Sequence, residues 1–124
     1  MQHALIIDDH LDIVDSLKEL LASEGMTSDS ASSVEEAFEL LDAKHFDVLI
    51  VDVMMPHLNG FYLIQKLRQN PADRNGRTPA IAYSGLTELM HHQTGSEMGF
   101  QALVGKPKVD ALLAEIRRHA TGSK

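Results

Sequence analysis

A run of four apolar residues, Val48 to Val51, closing on the acid Asp52, constrains this chain more than any other stretch. In the segment DVLIVDVMMPHLNG, four residues are too few for a buried helix. They suit a strand covered on both faces, as in a parallel sheet flanked by helices. Asp52 then stands at the carboxyl end of a buried strand, the edge where ligands and chemistry gather in open α/β sheets. Pro56 and the Asn59-Gly60 pair punctuate a loop before the next helical pattern. Taken alone, Asp52 reads equally well as a loop cap, so the remaining strands decide its meaning.

The same pattern of strand followed by polar residue recurs along the chain. Ala4 to Ile7 is a short apolar run ending on Asp8-Asp9. A helical stripe of Ile13, Val14, Leu17, Leu20 and Leu21 follows, with Gly25 as its stop. Met26 to Ala31 is short and polar, as an edge strand tolerates. Ser33 opens a second helix with capping-box spacing to Glu36, and Val34, Ala37, Phe38 and Leu41 form its apolar face. Leu63, Ile64 and Leu67 mark a third helix that Pro71 terminates at the latest. After a polar loop over 70–78, Pro79 to Tyr83 is a fourth strand that delivers Ser84 and Gly85. The segment from Thr87 to Met98 makes a poor helix, with Gly95 among polar residues. Ala102 to Gly105 is a fifth strand, delivering Lys106-Pro107. Val109, Leu112, Leu113 and Ile116 then line a last helix, with Arg117, Arg118 and His119 near its negative end. Five alternations of strand and helix argue for a parallel sheet with helices on both faces, joined by right-handed crossovers.

At 124 residues the chain is expected to form one domain with its own core. It has no Cys, so neither a disulfide framework nor a thiolate metal site is expected. No apolar run reaches the roughly 20 residues of a membrane span and no signal-peptide pattern opens the chain, so a cytoplasmic location without membrane insertion is expected. The formal charge of −7, from 18 acidic against 11 basic residues, argues against direct nucleic-acid binding.

Asp8, Asp9, Asp52, Ser84 and Lys106 would converge on one sheet edge. Carboxylates a few ångströms apart cannot all stay ionised without a compensating cation. Oxygen ligands with no His or Cys among them select a hard ion, Mg²⁺ in preference to zinc. Mg²⁺ with one Lys and one hydroxyl can hold three phosphoryl oxygens, and one carboxylate can serve as nucleophile to give an aspartyl phosphate. Each residue has a bland alternative: Lys106 as a solvated strand end, Ser84 as a helix cap, Asp8-Asp9 as a helix N-terminus. Their joint occurrence at successive strand ends makes those alternatives a poor account. The histidines are read as solvated: His10 after the acid pair, His57 in the loop, and His91-His92, which on a helix diverge by about 100°.

With the acidic pair Asp8-Asp9, the DVMMPHLNG loop, Ser84-Gly85 and Lys106-Pro107 in this order, the chain resembles the receiver domain of two-component response regulators over nearly its whole length. The resemblance implies a flavodoxin-like, doubly wound five-stranded parallel sheet in order 2-1-3-4-5, with five helices. It implies that Asp52 is the phosphoacceptor, fed by a phosphohistidine on a histidine kinase or histidine phosphotransfer protein. Asp9 and Asp52, with the main-chain carbonyl of Met54, would bind Mg²⁺, and Asp8 would act directly or through water. Lys106 would pair with a phosphoryl oxygen across a bond to Pro107 that is usually cis. Ser84 would hydrogen-bond the phosphoryl group, and Gly85 would leave room for the donor. The fourth helix, fifth strand and fifth helix would form the surface that changes for an unnamed downstream effector. The inward-turning aromatic residue of many receivers is replaced by Leu103, while Tyr83 should point away from Ser84 by strand alternation.

A phosphatase of the haloacid-dehalogenase type is the competing enzymatic reading. It uses a second acid two residues after its nucleophile, where this chain has Met54. A phosphate-independent binding module is the third reading, and the intact set of site residues argues against it. The chain stops just past the fifth helix, which fits either a stand-alone regulator or part of a longer protein. The segments TPAIAYSG and MGFQALVGKP look more like receivers attached to hybrid histidine kinases than like those of transcription factors. The resemblance to receivers also implies that Met54 and Leu86 border the approach of a hydrolytic water, and neither can orient one, so a long-lived phosphoryl group is expected.

Overall fold

In the computed structural model, which describes residues 2–53, 60–70, 72–85 and 99–120, the sequence's alternation becomes five strands and, among the described residues, four helices. In chain order these are β1 (His3–Ile7), α1 (Leu11–Ser23), β2 (Thr27–Ala31), α2 (Val34–Ala43), β3 (Val48–Val51), α3 (Gly60–Arg68), β4 (Ala80–Ser84), β5 (Ala102–Gly105) and α4 (Val109–His119). The helix expected over 87–98 lies outside the described residues. All strand pairings are parallel, in the order β2-β1-β3-β4-β5 that the resemblance implied.

The central place of β3 follows from its composition. All four of its residues are buried, as only an interior strand covered on both faces allows. Each such side chain removed from water contributes about 2 kcal/mol. Strand alternation then sorts the core into two layers. Leu5, Ile7, Leu49, Val51, Ala80 and Ala82 face α2 and α3, meeting Ala37, Leu41, Leu63 and Ile64. Ala4, Ile6, Val48, Ile50, Ile81 and Tyr83 face α1 and α4, meeting Val14, Leu17, Leu21, Leu112 and Ile116. The polar β2 occupies the sheet edge, where its partly exposed residues cost least.

Local signals set the helix ends. Gly25 takes a φ of +80° just past α1, a conformation that costs a residue with a Cβ. The Glu36 N–H donates to Ser33 Oγ at 3.1 Å, capping α2. The reciprocal bond is displaced by one residue: Glu36 Oε1 accepts from the Ser32 N–H, at 2.8 Å. The helix α3 ends at Arg68, ahead of Pro71. None of the described helices is long and apolar enough to cross a membrane.

Two polar clusters fasten the loops. Asn75 is buried and accepts from the Phe46 N–H at 2.8 Å, while its amide donates to the carbonyls of Leu41 and Lys44. Arg68 donates to the carbonyls of Gly76, Thr78 and Gly99, joining α3 to the segments that precede β4 and β5.

Candidate functional site

Register brings the acids together. Ile7 pairs with Val51, so Asp8 and Asp52 are next-door neighbours one residue beyond the ends of β1 and β3. Their backbones stay in the sheet's hydrogen-bond pattern, Asp8 N–H donating to Ala31 O at 3.1 Å and Asp52 N–H to Ile7 O at 2.9 Å. Both side chains are 3% exposed, which makes them costly charges unless a cation meets them. Lys106 meets both. Its Nζ donates to Asp8 Oδ2 and to Asp52 Oδ2, each at 2.9 Å, although 98 and 54 residues separate the partners in sequence. Burial works to lower the Lys106 pKa, but the bonds to Asp8 and Asp52 outweigh it and leave it above the ordinary lysine value. The Lys106-Pro107 peptide is cis, as the resemblance implied.

Reading His10 as merely solvated needs correction, and so does the expectation of a cluster without histidine. His10 is more than half exposed, yet its Nδ1 lies 2.8 Å from Asp8 Oδ1, 3.2 Å from Asp9 Oδ1 and 3.9 Å from Asp52 Oδ2. The His10 N–H also donates to Asp8 Oδ1, at 2.9 Å. Backbone and ring of His10 thus meet the same oxygen of Asp8 at the start of α1. The hydrogen bond that the His10 ring donates to Asp8, reinforced by the charge of that acid, raises the His10 pKa above the usual histidine value. The sequence signal was available: a histidine directly after an acid at a strand end enters the following helix as its N-cap residue, within reach of that edge.

The other expected residues fall out as follows. Asp9 is partly exposed beside Asp8. Ser84, the last residue of β4, is buried, and its Oγ has no hydrogen-bond partner among the described residues. Gly85 is exposed, and a Cβ there would meet nothing within 4 Å. Met54, Leu86, His57, His91 and His92 lie outside the described residues. Tyr83 packs on the α1 and α4 side, with its ring centroid 5.9 Å from Lys106 Nζ, while Leu103 packs on the α2 and α3 side. Burial raises the Tyr83 pKa, in line with its place in the core.

Three carboxylates thus gather around one lysine and one histidine at a sheet edge. Asp8, His10 and Asp52 each offer a ligand atom within 4.8 Å of the others, a spacing that can hold a metal ion. Comparison with known proteins gives the arrangement a context. The chain is 36% identical over 118 residues to the transcriptional regulatory protein CpxR of Escherichia coli K12, covering 94% of this chain and 48% of that one. It therefore spans about half the length of that relative. Among solved structures, the receiver domain of Francisella response regulator 1452 superposes with a TM-score of 0.83 at 28% identity, covering 95% of each chain. The chemotaxis response regulator CheY4 of Vibrio cholerae does so with a TM-score of 0.83 at 27% identity, covering 95% of this chain and 98% of its own. The pattern of the response regulator receiver domain matches residues 4–117, from the first core strand into the last helix. With fold, sequence pattern and sheet-edge cluster all in agreement, the chain belongs to the response regulator receiver domain family.

Proposed function

We propose that residues 1–124 act as one receiver, a phosphorylation switch in two-component or phosphorelay signalling in which Asp52 takes a phosphoryl group from a phosphohistidine. The observation that carries the reading is Lys106 Nζ held between Asp8 and Asp52 at 2.9 Å from each. A lysine so placed sets one ammonium against two buried carboxylates and offsets the cost of burying them. In the transfer, an Asp52 carboxylate oxygen attacks phosphorus and the phosphorus–nitrogen bond of the donor breaks. The donor imidazole leaves with the bonding pair and takes up a proton. Lys106 then pairs with a phosphoryl oxygen, and the buried Ser84 hydroxyl, which has no partner among the described residues, donates to another. Gly85 leaves the approach open to the donor.

The cluster fits a divalent cation on charge alone. Asp8, Asp9 and Asp52 outnumber Lys106, and an arriving phosphoryl group adds negative charge. Mg²⁺ would be held by Asp9, Asp52 and the main-chain carbonyl of Met54, with Asp8 direct or through water. When bound it supplies neutralisation of the phosphoryl oxygens. The chain promotes its own phosphorylation and is not an enzyme acting on other molecules. Its partners are a histidine kinase or histidine phosphotransfer protein and a downstream effector reached through the surface of the segment over 87–98, β5 and α4. A cytoplasmic site of action suits such partners, and the net charge of −7 disfavours direct nucleic-acid contact.

Incubation with a phosphorylated histidine phosphotransfer protein and Mg²⁺ tests the reading. Transfer of label to Asp52 with loss from the donor supports it. Release of free phosphate at multiple turnovers would favour the phosphatase reading, and no transfer from any donor would favour a phosphate-independent module.

A further inference from the structure

Resting on the reading of the acidic cluster as a cation site, we propose that His10 Nδ1 is a ligand of that site, giving up its hydrogen bond to Asp8 Oδ1 and releasing its proton to solvent when the cation binds. It tunes the site toward a borderline first-row ion such as Mn²⁺ or Co²⁺, beyond what the carboxylates alone would do. The argument begins with spacing. A cation with ligands at about 2.1 Å sets adjacent octahedral ligands about 3.0 Å apart and opposite ones about 4.2 Å apart. His10 Nδ1 is 2.8 Å from Asp8 Oδ1, 3.2 Å from Asp9 Oδ1 and 3.9 Å from Asp52 Oδ2, so its distances to all three acids have the scale of one coordination shell.

The ring is placed for this by the backbone. His10 is the N-cap residue of α1, with φ −92° and ψ 102°, and its side chain makes no capping bond. Its own N–H is tied to Asp8 Oδ1, which fixes the residue beside the acid that both groups share. The imidazole is 56% exposed, and among the described residues it meets the acids that form the site. Chemistry then sets the selectivity. Imidazole nitrogen suits borderline transition ions and adds little for Mg²⁺, which prefers oxygen and keeps its waters.

The test uses the full chain, freed of metal, at one buffered pH, with Mg²⁺, Mn²⁺ and Co²⁺ titrated separately by calorimetry. Pulsed electron paramagnetic resonance of the Mn²⁺ complex reads nitrogen in the coordination shell directly. The wild type should show imidazole nitrogen modulation that disappears in His10→Ala. The variant should bind Mn²⁺ and Co²⁺ about tenfold more weakly, with Mg²⁺ changed by less than about twofold. His10→Gln, which retains a polar side chain, should behave like His10→Ala. The chain has seven histidines, so the wild-type minus variant difference isolates this one from the other six. Absence of nitrogen modulation, or equal losses for all three ions, overturns the proposal. Tighter binding of all three ions by His10→Ala also overturns it, because the ring would then be competing for the cation's place. Failure of both proteins to bind any of the ions instead refutes the cation site itself, a result distinct from the others.

Discussion

Replacing Lys106 by Met removes one ammonium from between two carboxylates that are each 3% exposed, while keeping an unbranched stem. Two charge-assisted hydrogen bonds at 2.9 Å are lost together, and Asp8 and Asp52 face each other without that cation. Removing one partner from a buried ion pair costs about 3–5 kcal/mol. The lower end applies here, because Lys106 retains 17% exposure and His10 still meets Asp8. A loss of about 3 kcal/mol, with a urea slope of about 1.5–2 kcal/mol per molar, lowers the unfolding midpoint by roughly 1.5–2 M. The assay is equilibrium urea unfolding of both proteins in chelator and again in saturating Mg²⁺. A cation held by the folded site alone stabilises by mass action, and the unneutralised acids of Lys106→Met should gain more from it than the wild type does. The deficit should therefore shrink when Mg²⁺ is added. The exposed neighbour Lys108, changed to Met, should shift stability by no more than about 0.5 kcal/mol. A Lys106→Met deficit below about 1 kcal/mol in chelator, or one of equal size with and without Mg²⁺, refutes the reasoning.

Two glycines separate backbone strain from crowding. Gly25→Ala meets nothing within 4 Å at φ +80° and should cost about 1 kcal/mol in thermal unfolding. Gly99→Ala, at φ +96° and with its Cβ 2.6 Å from Ile64 Cγ2, should cost at least about 2 kcal/mol, and equal losses at the two would contradict this. Asn75→Ala strips the Phe46 N–H and the carbonyls of Leu41 and Lys44 of a buried partner, and should lower stability by about 2–3 kcal/mol by urea unfolding. A loss within about 0.5 kcal/mol would show that water replaces the amide there. The Lys44 hydrogen bond, aided by His3 against burial, holds the Asp29 carboxyl below its ordinary value of 3.8. A depressed acid contributes stability that is fully present above that value and is lost as pH falls through the folded-state value. Asp29→Asn should therefore flatten the dependence of the urea midpoint on pH below about 4, and parallel profiles would refute the assignment.

The fold was legible where local pattern and tertiary burial agree. The four apolar residues of β3 announced an interior strand, and β2, polar and short, announced an edge. The candidate site was legible because parallel strands deliver their last residues to one edge, so Asp8, Asp52, Ser84 and Lys106 could be grouped before any distance was known. What stayed hidden depends on side-chain direction and long-range partners. His10 read as solvated because exposure and contact are independent, and a ring on the surface can still turn inward to a buried acid. Arg68 and Asn75 lay in stretches read only as a helix end and a polar loop. Their roles arise from carbonyls 8 to 34 residues away that no periodicity marks. Glu36 likewise meets the Ser32 N–H in place of the Ser33 N–H that the capping box implies, a side-chain direction that spacing does not mark.

The central claim is that Asp52 is the nucleophile of a cation-binding cluster in which Lys106 is its hydrogen-bond partner. Acetyl phosphate, a donor that needs no partner protein, tests it most directly, read by intact-mass spectrometry and peptide mapping with Mg²⁺ present and with chelator. The account predicts one phosphoryl adduct on Asp52 in the wild type, dependent on Mg²⁺, and none in Asp52→Asn, whose amide is no nucleophile. Full-stoichiometry labelling of Asp52→Asn, or an adduct mapped to another residue in the wild type, would contradict it.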